Sequence, residues 1–349
     1  MVLVARTNRM MVIGVLVVAA GCGLALLLAA ELALRAAFPR LGLRDWPNWE
    51  FENKVRAMDR LARRGGASVI TVGSSMVQAA VDPHLLSALL ARERPAFNAA
   101  LNGATARTLE LWTRHIVVPR LRPDMVMFGF NSIEMNDNSL VAQRIFDQFR
   151  TSRPWRRLRD EGSIFRRAIF RLESASYLVR FRRYVRKSAW SGAKRGKLAE
   201  VSELGYLRGV GVFEWRSYGI REHQRKIWGE ALQDFRAGGH EFEALGGLIR
   251  ALRDANIPVL LVRMPISEDW IPLHPKGDQD YRAFERKLQA FVGSNDVRFV
   301  DLMPGFTSLD DFVDPVHLSP AGKRRFTTEL VQHITEATAS LPRSPARSS

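Results

Sequence analysis

The sequence predicts an α/β domain of three layers (α/β/α), a parallel sheet covered by helices on both faces, with a long basic insertion and a membrane-spanning helix in front. Three observations predict it. Short apolar runs of strand length alternate with helical patterns over residues 67–132 and again over 240–339, and strands separated by helices imply parallel pairing with both faces buried. The stretch between them, 133–239, is basic and irregular. Residues 10–30 are 21 consecutive positions without a charge.

About 20 apolar residues span a bilayer as a helix, whereas the apolar core of a cleaved signal is about 7–15 residues long. Residues 10–30 therefore read as an uncleaved anchor behind a basic leader, 1–9. Ala19-Ala20-Gly21-Cys22 is similar to a bacterial lipoprotein cleavage box, but the chain stays apolar from Cys22 to Ala30, where a lipoprotein turns polar. Arg6 and Arg9 on one side nearly balance Arg35, Arg40 and Arg44 on the other, so the loop-charge rule hardly orients the helix. Large downstream domains translocate largely regardless of charge, which makes the expected arrangement a single-pass protein of the bacterial inner membrane with its body outside the cytoplasm. Cys22 is the one cysteine, which excludes a disulfide framework and a zinc site built on thiolates.

Residues 31–64 read as a juxtamembrane segment with Trp46 and Trp49. The first strand is expected over 67–72 (ASVITV), ending at Gly73. Pro83 opens a helical pattern that runs to Arg92. A short strand is expected over 97–101, a helix over 104–118 and a buried strand over 124–130 (DMVMFGF). After the insertion come an amphipathic helix over 241–255, a strand over 257–263 (IPVLLVR), a helix over 281–291, a strand over 297–302 and a closing helix over 320–339. The α/β domain is thus expected to be built from 65–132 and 240–340, and 341–349 reads as a disordered tail.

The 52 Lys and Arg against 36 Asp and Glu give a net charge of +16. Its distribution argues against nucleic acid as a partner. Residues 150–197 alone hold 16 basic and three acidic residues, so the rest of the chain is close to neutral. Within this segment, 163–187 mixes apolar residues with eight basic ones in the pattern of an amphipathic helix. Three readings stand: a helix on an anionic membrane surface, a helix packed on the domain with a solvated basic face, or a groove for an acidic glycan or teichoic-acid-like polymer, since arginine forks match carboxylate and phosphate. Its position after the third strand puts it near the carboxyl ends of the strands, where it is expected to act as a cap.

In open α/β sheets ligands gather beyond those ends. The first strand ends in Gly73-Ser74-Ser75. Asn102-Gly103-Ala104 follows the second, Gly129-Phe130-Asn131-Ser132 closes the third, and Asp314-Pro315-Val316-His317 follows the last. Each alone is a common turn or helix-entry loop; four in order, each after its strand, are not. A serine hydroxyl needs an adjacent base to act as a nucleophile, and His317 is the candidate. A histidine needs its second nitrogen held so that the correct tautomer faces the serine, a task for Asp314. Fixed N–H donors stabilise the oxyanion of a tetrahedral intermediate; a glycine lets the backbone approach it, and an asparagine amide donates without a charge to desolvate.

This set resembles the SGNH (GDSL-type) hydrolase superfamily, whose blocks contribute a serine, a glycine, an asparagine and a histidine. The resemblance covers about residues 68–131 and 241–330. It implies a flavodoxin-like fold, Ser75 as nucleophile, Asp314 and His317 as its partners, and an oxyanion hole from the Ser75 N–H, Gly103 and Asn131. Ser74 departs from the aspartate that precedes the nucleophile in that family. The Gly-Ser-Ser version looks like membrane-anchored branches, such as the D-alanine transfer proteins of teichoic acids and the alginate acetyltransferase group.

The implied function is a membrane-anchored serine esterase or O-acyltransferase acting on acyl esters of cell-envelope or exported polysaccharide, with a membrane acyltransferase as a further expected partner. Two alternatives stand beside it: a non-catalytic envelope protein of the same fold that binds a glycan or an acyl-transfer partner, and a lipid esterase at the membrane surface. No cofactor is implied. His84, His115, His223, His240, His274 and His333 have no spacing that pairs them with carboxylates as a metal site. Glu134 either reaches the mouth of the site to bind substrate or is a solvated loop carboxylate. Arg263, ending a strand on the same edge, either holds an anionic substrate or forms a structural ion pair.

Overall fold

The computed structural model describes residues 2–40, 45–158, 168, 171, 175–181, 201–207, 222, 226–229 and 231–339. Most of the expected amphipathic helix over 163–187, and the tail over 341–349, lie outside the described residues. The chain divides into two compact units, Met1–Glu52 with Gln148–Gly196, and Asn53–Asp147 with Lys197–Ser349.

The first unit begins with α1 (Val2–Arg40), whose stretch Ile13–Arg40 is long and apolar enough to cross a membrane. The helix continues ten residues beyond the uncharged stretch, because Glu31 and Arg35 pair one turn apart at 2.7 Å and keep it regular. Glu31 also accepts hydrogen bonds from the backbone N–H groups of Tyr177 and Leu178 and from the Ser176 hydroxyl. Leu34 and Phe38 pack there against Tyr177 and Phe181. A second aromatic group joins Trp46, Phe51, Phe149 and Trp155.

The second unit is the sheet domain. Among the described residues its strands are β1 (Val69–Val72), β2 (Ala96–Asn98), β3 (Met125–Phe130), β4 (Val259–Arg263) and β5 (Arg298–Asp301). All pair in parallel in the order β2-β1-β3-β4-β5. Every residue of β1 and β3 is buried, which is why their sequences are continuous apolar runs and not alternations. The order reverses between β1 and β3, and the crevice beyond that point is where an open α/β sheet binds its ligand.

The helices after the anchor are α2 (Trp49–Ala62), α3 (Ser75–Ala80), α4 (Pro83–Leu90), α5 (Ala106–Trp112), α6 (Val118–Leu121), α7 (Leu140–Arg150), α8 (Arg153–Leu158), α9 (Tyr177–Arg180), α10 (His240–Asp254), α11 (Asp278–Asn295) and α12 (Pro320–Ala339). Within the sheet domain α12 packs on α3 and α4, while α10 packs on α5 and α11. The helix expected over 104–118 is α5 and α6 with a π-helical turn, Thr113–Val117, between them. Pro119 lacks the N–H that would continue the α-helical ladder, and a wider turn absorbs the defect. Four helices lie outside the expected ones: α2, α3, α7 and α8. The six-residue α3 and α8 are too short to carry a periodic signal. The helices α2 and α7 do carry one, with apolar residues at helical spacing on one face (Phe51, Ala57, Met58 and Leu61; Ala142, Ile145 and Phe149), which the reading of these stretches as a juxtamembrane segment and an irregular insertion passes over.

The β1–α3 junction is tight. A Cβ on Gly73 would lie 2.6 Å from the Gly129 carbonyl oxygen and would strike the Val77 side chain. Gly73→Ala is therefore expected to lower stability by about 1–3 kcal/mol through overpacking, read as a drop in melting temperature. An unchanged melting curve would mean that β1 and β3 have more freedom than their contact allows.

Candidate active site

Ser74 closes the end of β1 in an extended conformation, and its Oγ accepts the Met76 N–H at 3.2 Å. It is the N-cap of α3, so Ser75 becomes the first helical residue and its side chain is displayed at the crevice. The opposing group comes from the loop after β5. Asp314 Oδ1 accepts the N–H groups of Val316 (3.0 Å) and His317 (2.8 Å), which folds the Asp-Pro-Val-His turn onto itself. Its other oxygen, Oδ2, lies 2.6 Å from His317 Nδ1, and His317 Nε2 lies 2.8 Å from Ser75 Oγ. The carboxylate accepts the Nδ1 proton, which leaves Nε2 to accept the proton of the Ser75 hydroxyl. Ser75 and the Asp314–His317 turn, whose histidine is 242 positions further along the chain, thus form one continuous relay.

Burial works against a charged imidazolium at His317. The Asp314 carboxylate and its hydrogen bond outweigh that, with help from Glu134, and hold the His317 pKa above its ordinary value of 6.5. Asp314 and His317 are nearly enclosed, whereas Ser75 is partly open to solvent.

The chain after β2 stays beside the β1 end, with Ala99 N–H on Thr71 O (2.8 Å) and Leu101 N–H on Gly73 O (2.9 Å). Two residues on, Gly103 has φ +69°, a left-handed turn that an L side chain rarely adopts, and a Cβ there would lie 3.1 Å from Val141. Asn131 follows β3, fully buried. Its Oδ1 accepts from the Ser132 N–H (2.7 Å) and the Tyr281 hydroxyl (3.1 Å), and its Nδ2 donates to the Met264 carbonyl at 2.7 Å. One of its two amide hydrogens is therefore engaged by the backbone, and an oxyanion role would draw on the other.

One sequence expectation needs correction, and one pair of alternatives is decided. Glu134 is neither at the mouth nor solvated: it is 1% exposed, inside the single turn Ser132–Met135. The turn is closed by a capping box that points the Glu134 carboxylate back at the Asn131 N–H, 2.7 Å from Oε2, and at the Ser74 hydroxyl through Oε1. Arg263 does not offer its guanidinium to an anionic substrate. It pairs with Glu285 (2.5 Å), Asp301 (3.1 Å) and the Tyr281 hydroxyl (3.0 Å), which is the ion-pair alternative.

Trp228, in the insertion, had no distinguishing pattern. Its ring meets His317 edge-on at 5.4 Å and Trp270 at 5.9 Å. Its indole N–H is buried without a hydrogen-bond partner among the described residues. Behind it the Trp270 indole donates to Ser132 Oγ (2.9 Å), which also meets His274 Nε2 (3.1 Å). A lone aromatic residue in a basic stretch carries no sequence signal of such a role. No group of three His, Cys, Asp or Glu suited to a metal occurs among the described residues.

No protein-family model and no curated protein matches the chain. Among solved structures, it is similar to a GDSL-like lipase from Bacteroides thetaiotaomicron, at 10% identity over 83% of this chain and 98% of that one, with a TM-score of 0.40. It is also similar to a carbohydrate acetylesterase from Sinorhizobium meliloti (11% identity, 77% and 99% covered, TM-score 0.36) and to an aryl esterase from M. smegmatis (11%, 78% and 100%, 0.37).

Proposed function

We propose that the chain is a serine esterase or O-acyltransferase of the SGNH type, anchored in a bacterial inner membrane by α1, with its body outside the cytoplasm. Its substrates are acyl esters of cell-envelope or exported polysaccharide, and a membrane acyltransferase is its candidate acyl source. The observation that carries the reading is the relay itself, with Ser75 Oγ 2.8 Å from His317 Nε2 and His317 Nδ1 2.6 Å from Asp314. The length and apolar character of α1 support the anchor.

Ser75 Oγ attacks the acyl carbonyl as its proton passes to His317 Nε2. Asp314 holds the ring and balances the imidazolium that forms. The carbonyl oxygen gains negative charge, for which the Ser75 N–H, Gly103 and the second amide hydrogen of Asn131 are the candidate donors. His317 returns the proton to the departing alcohol, leaving an acyl-Ser75 ester. Water or a sugar hydroxyl, deprotonated by His317, then attacks that ester, and the choice between them separates hydrolysis from transfer. Trp228, edge-on to the His317 ring at 5.4 Å, is the candidate side chain to contact the leaving or entering alcohol.

The test is a fluorophosphonate probe on the full chain in detergent micelles, read by intact mass. One adduct on the wild type is expected, absent from Ser75→Ala and His317→Ala. An unlabelled, folded wild type would sink the enzyme reading and bring forward the non-catalytic, glycan-binding one. A labelled enzyme offered an acyl ester with and without a polysaccharide acceptor then distinguishes transfer from hydrolysis by where the acyl group ends.

A further inference from the structure

Glu134 is a buried carboxylate that the relay does not use. Its Oε1 accepts the hydroxyl proton of Ser74, the residue that caps α3 and immediately precedes Ser75, and its Oε2 accepts the Asn131 N–H at 2.7 Å. One carboxylate thus joins the turn after β1 to the turn after β3, the two strands that flank the reversal in strand order. We propose that Glu134 is a positioning residue: it fixes Ser75 through Ser74 and Asn131 through its backbone. Its carboxylate, bonded to the residue next to Ser75, acts on the His317 ring that Ser75 Oγ meets at 2.8 Å. For its effect on rate this rests on the esterase or acyltransferase reading; its effect on His317 does not.

The physical case has two parts. A buried carboxylate is costly unless its oxygens are satisfied, and here both accept hydrogen bonds from the turns they align. Removing it frees Ser74 to turn, and Ser74 sets the start of the helix on which Ser75 stands. The second part is electrostatic. The groups around Glu134 are His317 with Asp314 behind it on the loop after β5, His274 across Ser132, Tyr281 with Arg263 beyond Asn131, and the Ser74 hydroxyl from the β1–α3 turn. Burial pushes the Glu134 pKa up to about 7, against the hydrogen bonds from Ser74 and Asn131 and the charge of His317. When ionised, Glu134 favours the His317 imidazolium; when protonated, it withdraws that support.

The experiment is a titration of the His317 ring by NMR on the full chain in micelles, with histidine carrying ¹³C at Cε1 and the His317 signal identified by its loss in His317→Gln. Glu134→Gln keeps the shape and removes the charge, so the His317 midpoint is expected to fall by about one pH unit. Ser74→Ala keeps the carboxylate but removes one hydrogen bond that favours its ionised form, so a smaller fall in the same direction is expected. A His317 midpoint unchanged in folded Glu134→Gln overturns the proposal and leaves Glu134 as a cap. Should that variant fail to fold, an unchanged midpoint in Ser74→Ala overturns it equally. Fluorophosphonate labelling of Ser75 is measured in parallel. Glu134→Gln is expected to slow it about tenfold at alkaline pH, because the amide has one acceptor oxygen where the carboxylate has two, and one of the two turns loses the hydrogen bond that places it. Failure of the wild type to label would refute the enzyme reading, while the His317 midpoint decides the link to Glu134 separately.

Discussion

Replacing His317 by alanine is expected to slow acylation of Ser75 by about 10⁴-fold or more. The hydroxyl proton leaves to Nε2, 2.8 Å away, and the nearest described acceptor is then gone. Asp314→Asn tests the same relay from behind and should cost about 10⁴-fold. Asn keeps the side-chain oxygen that accepts the Val316 and His317 N–H groups, so the turn survives. Its amide nitrogen, however, faces His317 Nδ1 as a donor and drives the ring proton to Nε2, where it blocks the serine. The pH profile separates this from simple disruption. General-base action needs neutral His317, whose pKa is held above 6.5 chiefly by Asp314, acting against burial. Activity should therefore fall as pH drops through that raised value, with its acid limb above the ordinary histidine range. In Asp314→Asn the limb should move to lower pH as the plateau falls. Labelling rates from about pH 5 to 9 read both effects. A wild-type acid limb below the ordinary range would refute the coupling of His317 to Asp314.

Lys54→Ala is expected to destabilise the sheet domain by about 3–5 kcal/mol, from the three buried acceptors it strands and the cavity its stem leaves. Lys54 is fully buried, and its Nζ donates to Gln78 Oε1 (2.5 Å), Asn98 O (2.9 Å) and Gly205 O (3.0 Å). These three acceptors lie on α3, at the end of β2 and in the segment that covers the β2 edge, where Asn98 N–H also bonds Leu204 O at 2.9 Å. The lysine therefore ties α2 to the helix that starts at Ser75. Lys54→Met restores most of the stem packing but still strands three acceptors, so it should remain clearly destabilised. At about 2–4 °C per kcal/mol for a domain of this size, Lys54→Ala should melt at least 6 °C or so below the wild type. A difference within about 1 °C would show that water or a rearranged side chain replaces the ammonium at little cost.

Lys54 also marks the limit of the sequence. In WEFENKVRAMDRLA it falls at helical spacing on the face of Phe51, Ala57, Met58 and Leu61, but that pattern does not say what satisfies a buried ammonium. Glu134 was misread, as a loop carboxylate, because its partners Ser74 and Asn131 become its neighbours only when β1 and β3 pair. Trp228 had no local mark either, and for Arg263 the ion pair and the anionic substrate stood side by side until its partners Glu285 and Asp301 were placed. By contrast, β1, β3 and β4 were legible because a central parallel strand must be apolar on both faces, and that requirement is written in consecutive residues. The closing helix was legible over its full length, Pro320–Ala339. Ser75, Asp314 and His317 could be named because four turn blocks follow the strands in order and resemble the SGNH pattern, which points to Ser75 rather than Ser74. The sequence by itself thus determined the strand and helix alternation, the apolar N-terminal helix and the residues at the carboxyl ends of the strands, all features set by near neighbours in the chain. Only the tertiary structure decided which polar groups are buried and what satisfies them, because Lys54 meets Gly205, Glu134 meets Ser74 and His317 meets Ser75 across sequence separations that no local pattern records.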